Sequence, residues 1–302
     1  MTDRTAVVIY NPRSGAHRKR DRSAEVADYI SLLAKRGIRA EPAPTTAPGA
    51  ATELARQAVA SGVGLVIGNG GDGTLNEILQ GMVGSSVPLA ILPGGTANVL
   101  AHDLKIPTDL AANAEMVANG IERRITVGRV AYDADKIRHF FLMAGIGLDA
   151  TMVRNVRSNL KKKIGEGAYL VAGIEQLIAH TTPFTVEANG RTYESCFAVI
   201  GNSHGYGGGF SLTPRADITS PTFEVSIFPK NRFGIEYAPH ALAALLGKPN
   251  LLGDVVTIQA VTVKVTPATN EEVWAQVDGE LLDKLPMTFE ALPNALTVIV
   301  PA

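Results

Sequence analysis

Gly68-Asn69-Gly70-Gly71-Asp72-Gly73-Thr74-Leu75-Asn76-Glu77 places four glycines around one carboxylate. The stretch lies between an apolar run at 63–67 and a segment with helical patterning at 75–83. A backbone this bare of side chains can bring N–H groups close to an anion. A helix starting directly after it adds the positive end of its dipole. A carboxylate among such donors sits where phosphate chemistry takes place.

Outward from this stretch, strands and helices alternate. Upstream, 6–10 is a short apolar run ended by the loop signal Asn11-Pro12-Arg13-Ser14-Gly15. In 23–35, Val26, Tyr29, Ile30, Leu33 and Ala34 share one helical face, and Gly37 closes it. A strand at 38–43 and an alanine-rich helix at 49–60 follow. Downstream come a strand at 87–92, the loop Pro93-Gly94-Gly95-Thr96-Ala97-Asn98, a helix through 104 and a last helix at 109–119. Such alternation predicts a parallel sheet with helices on both faces. Ligands bind outside the carboxyl ends of the strands in these sheets, which puts loops 11–15, 68–74 and 93–98 on one edge.

From Arg124 the character changes. β-Branched runs recur at 125–131, 139–143, 184–187, 197–200, 223–228, 255–258, 261–265, 273–277, 287–292 and 296–300. Asn189-Gly190 is a two-residue hairpin signal, and helical patterning interrupts only at 167–180 and 233–246. Many short strands with turn signals predict a β-sandwich. The expected fold is therefore α/β plus all-β. A three-layer α/β domain, which the resemblance described below implies to be nucleotide-binding, spans 1–126 and a β-sandwich domain spans 127–302. A length of 302 residues agrees with two cores.

Composition narrows the classes. With 28 basic and 29 acidic residues, the net charge of −1 offers no global field to draw in nucleic acid. The single cysteine, Cys196, excludes a disulfide framework and a thiolate metal cage and reads as core packing. The six histidines lack paired metal spacing. The first residues run directly into a strand, and no stretch reaches the roughly 18 apolar residues of a membrane span. The expected location is cytoplasmic, with membrane contact peripheral and at the inner face.

Several motifs have competing readings. Gly68-x-Gly70-x-x-Gly73 satisfies the dinucleotide fingerprint, but positions 78–102 hold no Asp or Glu for the ribose, which disfavours a dehydrogenase. No P-loop pattern occurs. Gly201-x-Ser203-x-Gly205 matches a hydrolase elbow, yet Tyr206-Gly-Gly-Gly209 follows where that elbow needs a helix. Asp278-Gly279 fits a plain hairpin turn, with Glu280 exposed beside it. Lys161-Lys162-Lys163, with Arg154 and Arg157, reads as a solvated face or as a contact with anionic headgroups, at about 1 kcal/mol per charge. Arg18-Lys19-Arg20 and Arg22 read as surface or as aids to phosphate binding near the first loop.

The ordered set of motifs resembles a known family. Asn11-Pro-Arg-Ser-Gly15, Gly70-Gly-Asp-Gly-Thr74 with Asn76-Glu77, and Pro93-Gly-Gly-Thr-Ala-Asn98 are similar to motifs of the diacylglycerol kinase catalytic-domain family. That family includes sphingosine kinases and bacterial soluble lipid kinases, and it more distantly resembles NAD kinases. Gly145-Ile-Gly-Leu-Asp149-Ala, Gly201-Asn202 through Gly209, Pro214-x-Ala216 and Val277-Asp-Gly-Glu280 are similar to its C-terminal blocks. The resemblance implies transfer of the γ-phosphoryl group of ATP, with Mg²⁺, to a lipid hydroxyl such as that of diacylglycerol or a sphingoid base. It also implies a cleft between the two domains and a return of the last residues to the first domain.

Site roles follow from the resemblance residue by residue. Backbone donors at Gly70, Gly71, Gly73 and Gly95 would cradle phosphates, with Gly15 and Gly94 in the same nucleotide set. Asn11, Ser14, Thr74 and Thr96 would add side-chain hydrogen bonds. Asn98 and Glu77 stand at helix starts, and Glu77 either holds nucleotide or favours its first helical turn. Asp72 would be the base or would hold the metal network. Asp278 and Glu280 would contact Mg²⁺, and Glu280 competes with Asp72 as base. Two departures stand out. Ala16 occupies a place where the family often has lysine, and Ser220-Pro221 stands where some bacterial members have an Asp-Gly linked to a structural Mg²⁺. That second metal site is expected to be lost. Phosphorylation of NAD and a non-catalytic nucleotide- or lipid-binding regulator remain alternatives. The lipid acceptor and any homo-oligomer stay open.

Overall fold

A computed structural model describes residues 4–14, 21–148, 150, 180–205, 211–231, 233–246, 248 and 250–302. The expectations at Gly15, Ala16 and Arg18, the helix at 167–180, the basic run at 161–163 and the glycines at 207–209 lie outside them. The chain divides into two units, Met1–Val127 with Pro293–Ala302, and Gly128–Leu292. The last ten residues, counted on sequence with the second domain, thus fall with the first unit.

In the first unit the elements run β1 (Arg4–Tyr10), α1 (Arg22–Ala34), β2 (Ile38–Pro44), α2 (Ala50–Ala60), β3 (Leu65–Gly70), α3 (Asp72–Met82), β4 (Leu89–Pro93), α4 (Val99–Asp103) and α5 (Leu110–Asn119). The strands pair in parallel in the order β2-β1-β3-β4. β3 and β4 are buried along their whole length, as strands covered on both faces must be. Val298, near the chain end, pairs in parallel with Leu89 and extends the sheet.

Helix placement follows from small residues and caps. Asp21 caps α1 by accepting from Ser23 N, and Asp109 caps α5 by accepting from Ala111 N and Ala112 N. The buried stripe Ala51, Ala55 and Ala58 lets α2 approach α3 closely. At Gly81 of α3 a Cβ would meet Ala55 Cβ and Arg56 N, each at 2.9 Å. Tyr29 of α1 is fully buried and donates its hydroxyl to Asn113 Oδ1 of α5 at 2.5 Å. Burial pushes its pKa well above the ordinary phenol value.

The second unit is β-rich. It contains the later part of β5 (Ile121–Tyr132), β6 (Lys136–Phe140), β7 (Met143–Gly147), β8 (Phe184–Ala188), β9 (Arg191–Ser195), β10 (Phe197–Gly201), β11 (Phe223–Ile227), α6 (Ala238–Leu245), β12 (Val256–Ala260), β13 (Thr262–Pro267), β14 (Trp274–Val277), β15 (Glu280–Lys284) and the first part of β16 (Met287–Val300). One sheet has the order β12-β11-β10-β7-β14-β15, with every described neighbour pair antiparallel. Opposite it, β16, β13, β8 and β9 pair antiparallel, as do β5 and β6. Between the layers, Phe140 stacks on Phe223 with centroids 5.7 Å apart and meets the Phe289 ring edge-on at 6.4 Å. Asn189 and Gly190 both have positive φ, as the expected hairpin turn requires. This is the α/β plus β-sandwich architecture that the patterning predicts.

Candidate active site

In the first unit the structure brings the three predicted loops together at the carboxyl ends of β1, β3 and β4. The glycine stretch is tighter than expected. β3 continues through Gly70 and α3 starts at Asp72, so only Gly71 lies between them. A Cβ at Gly68 would meet Leu75 Cδ2 at 2.7 Å and Ile78 Cδ1 at 2.9 Å. One at Gly70 would meet Thr74 Cβ and Oγ1 at 2.6 Å. These glycines let α3 fold back onto its own strand.

The other glycines serve contact between the loops. A Cβ on Gly71 would stand 3.1 Å from Gly95 Cα, and one on Gly94 would stand 3.1 Å from Gly70 Cα. Gly94 N donates to Gly70 O at 2.8 Å. The two main chains therefore touch without side chains between them. Asp72 locks the contact. Its Oδ2 accepts from Val99 N and its Oδ1 from Leu100 N, each at 3.2 Å, which caps α4 from a neighbouring loop. Asn98 has φ of 48° and closes its own turn. Its Oδ1 accepts from Gly95 N at 2.8 Å and its Nδ2 donates to Gly95 O at 3.0 Å. The Gly95 N–H, expected as a phosphate donor, is thus already engaged. Thr96 stands exposed at the loop tip.

In the first loop, Asn11 Oδ1 accepts from Arg13 N at 2.9 Å, and Asn11 O accepts from Ser14 N at 3.0 Å and Ser14 Oγ at 2.9 Å. Both predicted side chains shape the turn. Glu77 spans to α2, where its Oε2 accepts from Ala51 N at 3.2 Å, and its main-chain O accepts from Thr52 Oγ1 at 2.8 Å. Glu77 also lines a cavity of about 520 Å³ with Asn11, Arg13, Thr45, Pro48 and Thr74. The N–H groups of Asp72 and Gly73 open α3 beside it, ahead of the first intrahelical bonds.

Two first-unit residues have roles that the sequence reading left open or missed. Arg22, read there as surface or as an aid to phosphate binding near the first loop, is 4% exposed. Its Nη2 donates to Ser14 O at 3.1 Å and Gly94 O at 2.7 Å, while Nη1 pairs with Glu25 Oε1 at 3.1 Å. One guanidinium thus ties the first loop to the third. The available signal was its position just after the cap Asp21 and three residues before Glu25. Asn69, fully buried, donates from Nδ2 to Leu92 O at 3.2 Å, and its Oδ1 meets no hydrogen-bond donor among the described residues. A buried orphan acceptor of this kind calls for a reason.

Asp278 and Glu280 belong to the second unit, on the turn between β14 and β15. Asp278 and Gly279 have φ of 48° and 78°, so the hairpin-turn reading is correct. Asp278 does more than turn. Its Oδ2 accepts from Phe141 N at 2.8 Å, and its Oδ1 from Leu142 N at 2.9 Å and Met143 N at 3.1 Å. Asn202 holds the same segment from its other side, with Nδ2 on Phe141 O and its own N on Leu142 O, each at 2.8 Å. Ser203 N also donates to Leu142 O, so the Gly-x-Ser-x-Gly match is a backbone anchor. Glu280 Oε2 pairs with Arg138 Nη2 at 3.0 Å, while its Oε1 stays outside that pair.

A magnesium ion can be tested against these donors. The described residues contain no group of three His, Cys, Asp or Glu side chains placed for a metal. Mg²⁺ bound to phosphates takes only one or two carboxylates. Glu280 Oε1 suits that role. Asp278, with three N–H groups already on its oxygens, is the weaker donor. Near Ser220-Pro221, where the second metal site is expected to be lost, Glu224 is fully buried and accepts from Arg215 N at 2.6 Å and Arg215 Nε at 3.2 Å. Ser220 Oγ bonds Thr222 there.

Comparison with known proteins agrees with this fold. Residues 5–130 match the model of the diacylglycerol kinase catalytic domain, and residues 143–300 match that of the YegS C-terminal NAD kinase beta sandwich-like domain. A diacylglycerol kinase of Bacillus subtilis is 30% identical over 302 residues, covering 98% of this chain and 96% of its own. A Pseudomonas aeruginosa protein described as "Probable lipid kinase YegS-like" is 29% identical over 310 residues, covering 99% and 95%. A crystal structure of a diacylglycerol kinase from Bacillus anthracis superposes with a TM-score of 0.77 at 24% identity, over 99% of this chain and 98% of that one. This chain belongs to the diacylglycerol kinase catalytic-domain family of lipid kinases.

Proposed function

We propose that the protein transfers the γ-phosphoryl group of ATP to the hydroxyl of a lipid of the diacylglycerol or sphingoid type, with Mg²⁺. The observation that carries this reading is the glycine-to-glycine contact of the second and third loops. Thr74 and Glu77, at the start of α3, line the 520 Å³ cavity with Asn11. The N–H groups of Asp72 and Gly73 would receive phosphate oxygens there. Arg22 and Asp72 would hold the loops in register, with no contact to the reacting atoms. Phosphoryl transfer needs positioning and charge neutralisation more than covalent help from the protein. Mg²⁺ on the phosphate oxygens would neutralise charge on the transferring group. Glu280, whose Oε2 Arg138 holds, would use Oε1 either as a metal ligand or as the acceptor of the lipid hydroxyl's proton.

The test is incubation with labelled ATP and Mg²⁺ against diacylglycerol, sphingoid bases, ceramide, phosphatidylglycerol and NAD, with product identification. One labelled lipid is the expected outcome. Labelled NAD in its place would favour the second reading, which the NAD kinase-like description of the matched C-terminal domain supports. ATP binding with no product from any acceptor would favour a regulator.

A further inference from the structure

The cavity that Thr74 and Glu77 of α3 help to line carries little positive charge for a site proposed to hold a nucleotide. Its volume of about 520 Å³ falls within the roughly 300–1,000 Å³ of small-molecule sites. Among the described residues that line it, Arg13 is the one cation and Glu77 the one carboxylate. A polyphosphate entering beside a carboxylate needs donors or cations to offset its own charge and that of its neighbour.

Most groups nearby that could supply them are already engaged. Gly94 N donates to Gly70 O and Gly95 N to Asn98 Oδ1, each at 2.8 Å. The Arg22 guanidinium is buried and occupied by Ser14 O, Gly94 O and Glu25 Oε1. Arg13 differs from Arg22 in both respects. Its main chain is fixed, because Arg13 N donates to Asn11 Oδ1 at 2.9 Å inside the turn that Ser14 N closes on Asn11 O at 3.0 Å. Its side chain is exposed, and among the described residues its guanidinium has no hydrogen-bond or ion-pair partner. A guanidinium on an anchored stem keeps its planar fork available, and that fork matches phosphate oxygens two at a time.

We propose that Arg13 binds the phosphate tail of the nucleotide, with paired N–H bonds from its guanidinium to phosphate oxygens, and so makes the site select nucleoside di- and triphosphates over monophosphates. The proposal rests on the nucleotide reading above and names the side chain that reads the charge of the tail.

Calorimetric titration of the full chain with ATP, ADP and AMP tests it without any acceptor. Wild type should bind ATP and ADP more tightly than AMP. Arg13→Gln should weaken ATP binding by about tenfold or more and AMP binding by much less, as for a lost hydrogen bond to a charged group. Arg13→Lys should recover part of the loss, since it returns the charge without the fork. Added salt should weaken ATP binding less steeply in Arg13→Gln than in wild type. Both variants should melt with wild type, because no described residue depends on the side chain for a partner. Arg13→Gln that binds ATP as tightly as wild type overturns the proposal. An equal loss for ATP and AMP also overturns it, and would place Arg13 against the nucleoside instead. Wild type that binds none of the three overturns the proposal and the nucleotide reading together, whereas failure of the Arg13 effect alone leaves that reading standing.

Discussion

Asp72 of the first unit and Glu280 of the second are both candidate carboxylates, yet their surroundings assign them different work. Asp72 holds two amides at the start of α4 with its two oxygens. Asp72→Asn replaces one acceptor by an NH₂ group facing an N–H. Stability should drop by ~0.5–2 kcal/mol, as for a lost helix cap, and turnover should fall because the third loop loosens. Glu280 shares one oxygen with a part-exposed arginine, a contact worth about 0–1 kcal/mol. Glu280→Gln should therefore melt close to wild type while turnover is lost. Urea titration together with a kinase assay separates the two. An Asp72→Asn protein with wild-type stability would remove the capping role, and an active Glu280→Gln would remove Glu280 as proton acceptor.

At the level of elements, Arg22 decides whether the first and third loops form one surface. Arg22→Met leaves Glu25 and two carbonyls without their buried partner and should cost about 3–5 kcal/mol. ATP affinity, read by calorimetry, should weaken with it. Arg22→Lys should recover only part of both, since a single ammonium cannot reproduce the planar fork. The sequence pattern located β1, β2, β4 and most helices because apolar periodicity follows burial. It misplaced the turn at Gly71 because glycine usually marks a loop, whereas Gly68 and Gly70 are strand positions covered by Leu75, Ile78 and Thr74. The apolar run 139–143 reads as one strand. In the structure it breaks between β6 and β7, where the Asp278 carboxylate takes the amides of residues 141–143. The runs 287–292 and 296–300 read as two strands, but form the single β16 through Pro293 and a left-handed Asn294. The motifs located the loops and the Asp278–Glu280 turn. They left Arg22 between a surface role and a role at the first loop, included Asn202 without a role, and were silent on Arg138, whose partner Glu280 is distant in sequence.

For the whole molecule, His139 sets an acid limit. Burial, then the nearby Arg129 and Arg138, hold its pKa below the ordinary 6.5. The unfolded chain therefore binds a proton more readily than the folded one. Stability from this group is constant above about pH 6.5 and declines as pH falls from there toward the depressed folded value. Urea midpoints measured from pH 7.5 down to pH 5 should show that slope, and His139→Gln should flatten it. An unchanged slope would place the acid sensitivity elsewhere.

The last ten residues supply the edge next to β4, where Val298 pairs with Leu89 and Ala295 O accepts from Gly84 N. The first unit is therefore split in the chain, and the entire sandwich is translated between its two parts. During synthesis the sheet of the first unit stays short of the strand that holds Val298 until translation reaches the 290s. A chaperone or protease meeting the nascent chain would find that edge open for most of the time the sandwich is being made. Removal of residues 293–302 would damage the unit made first and spare the strands of the one made last.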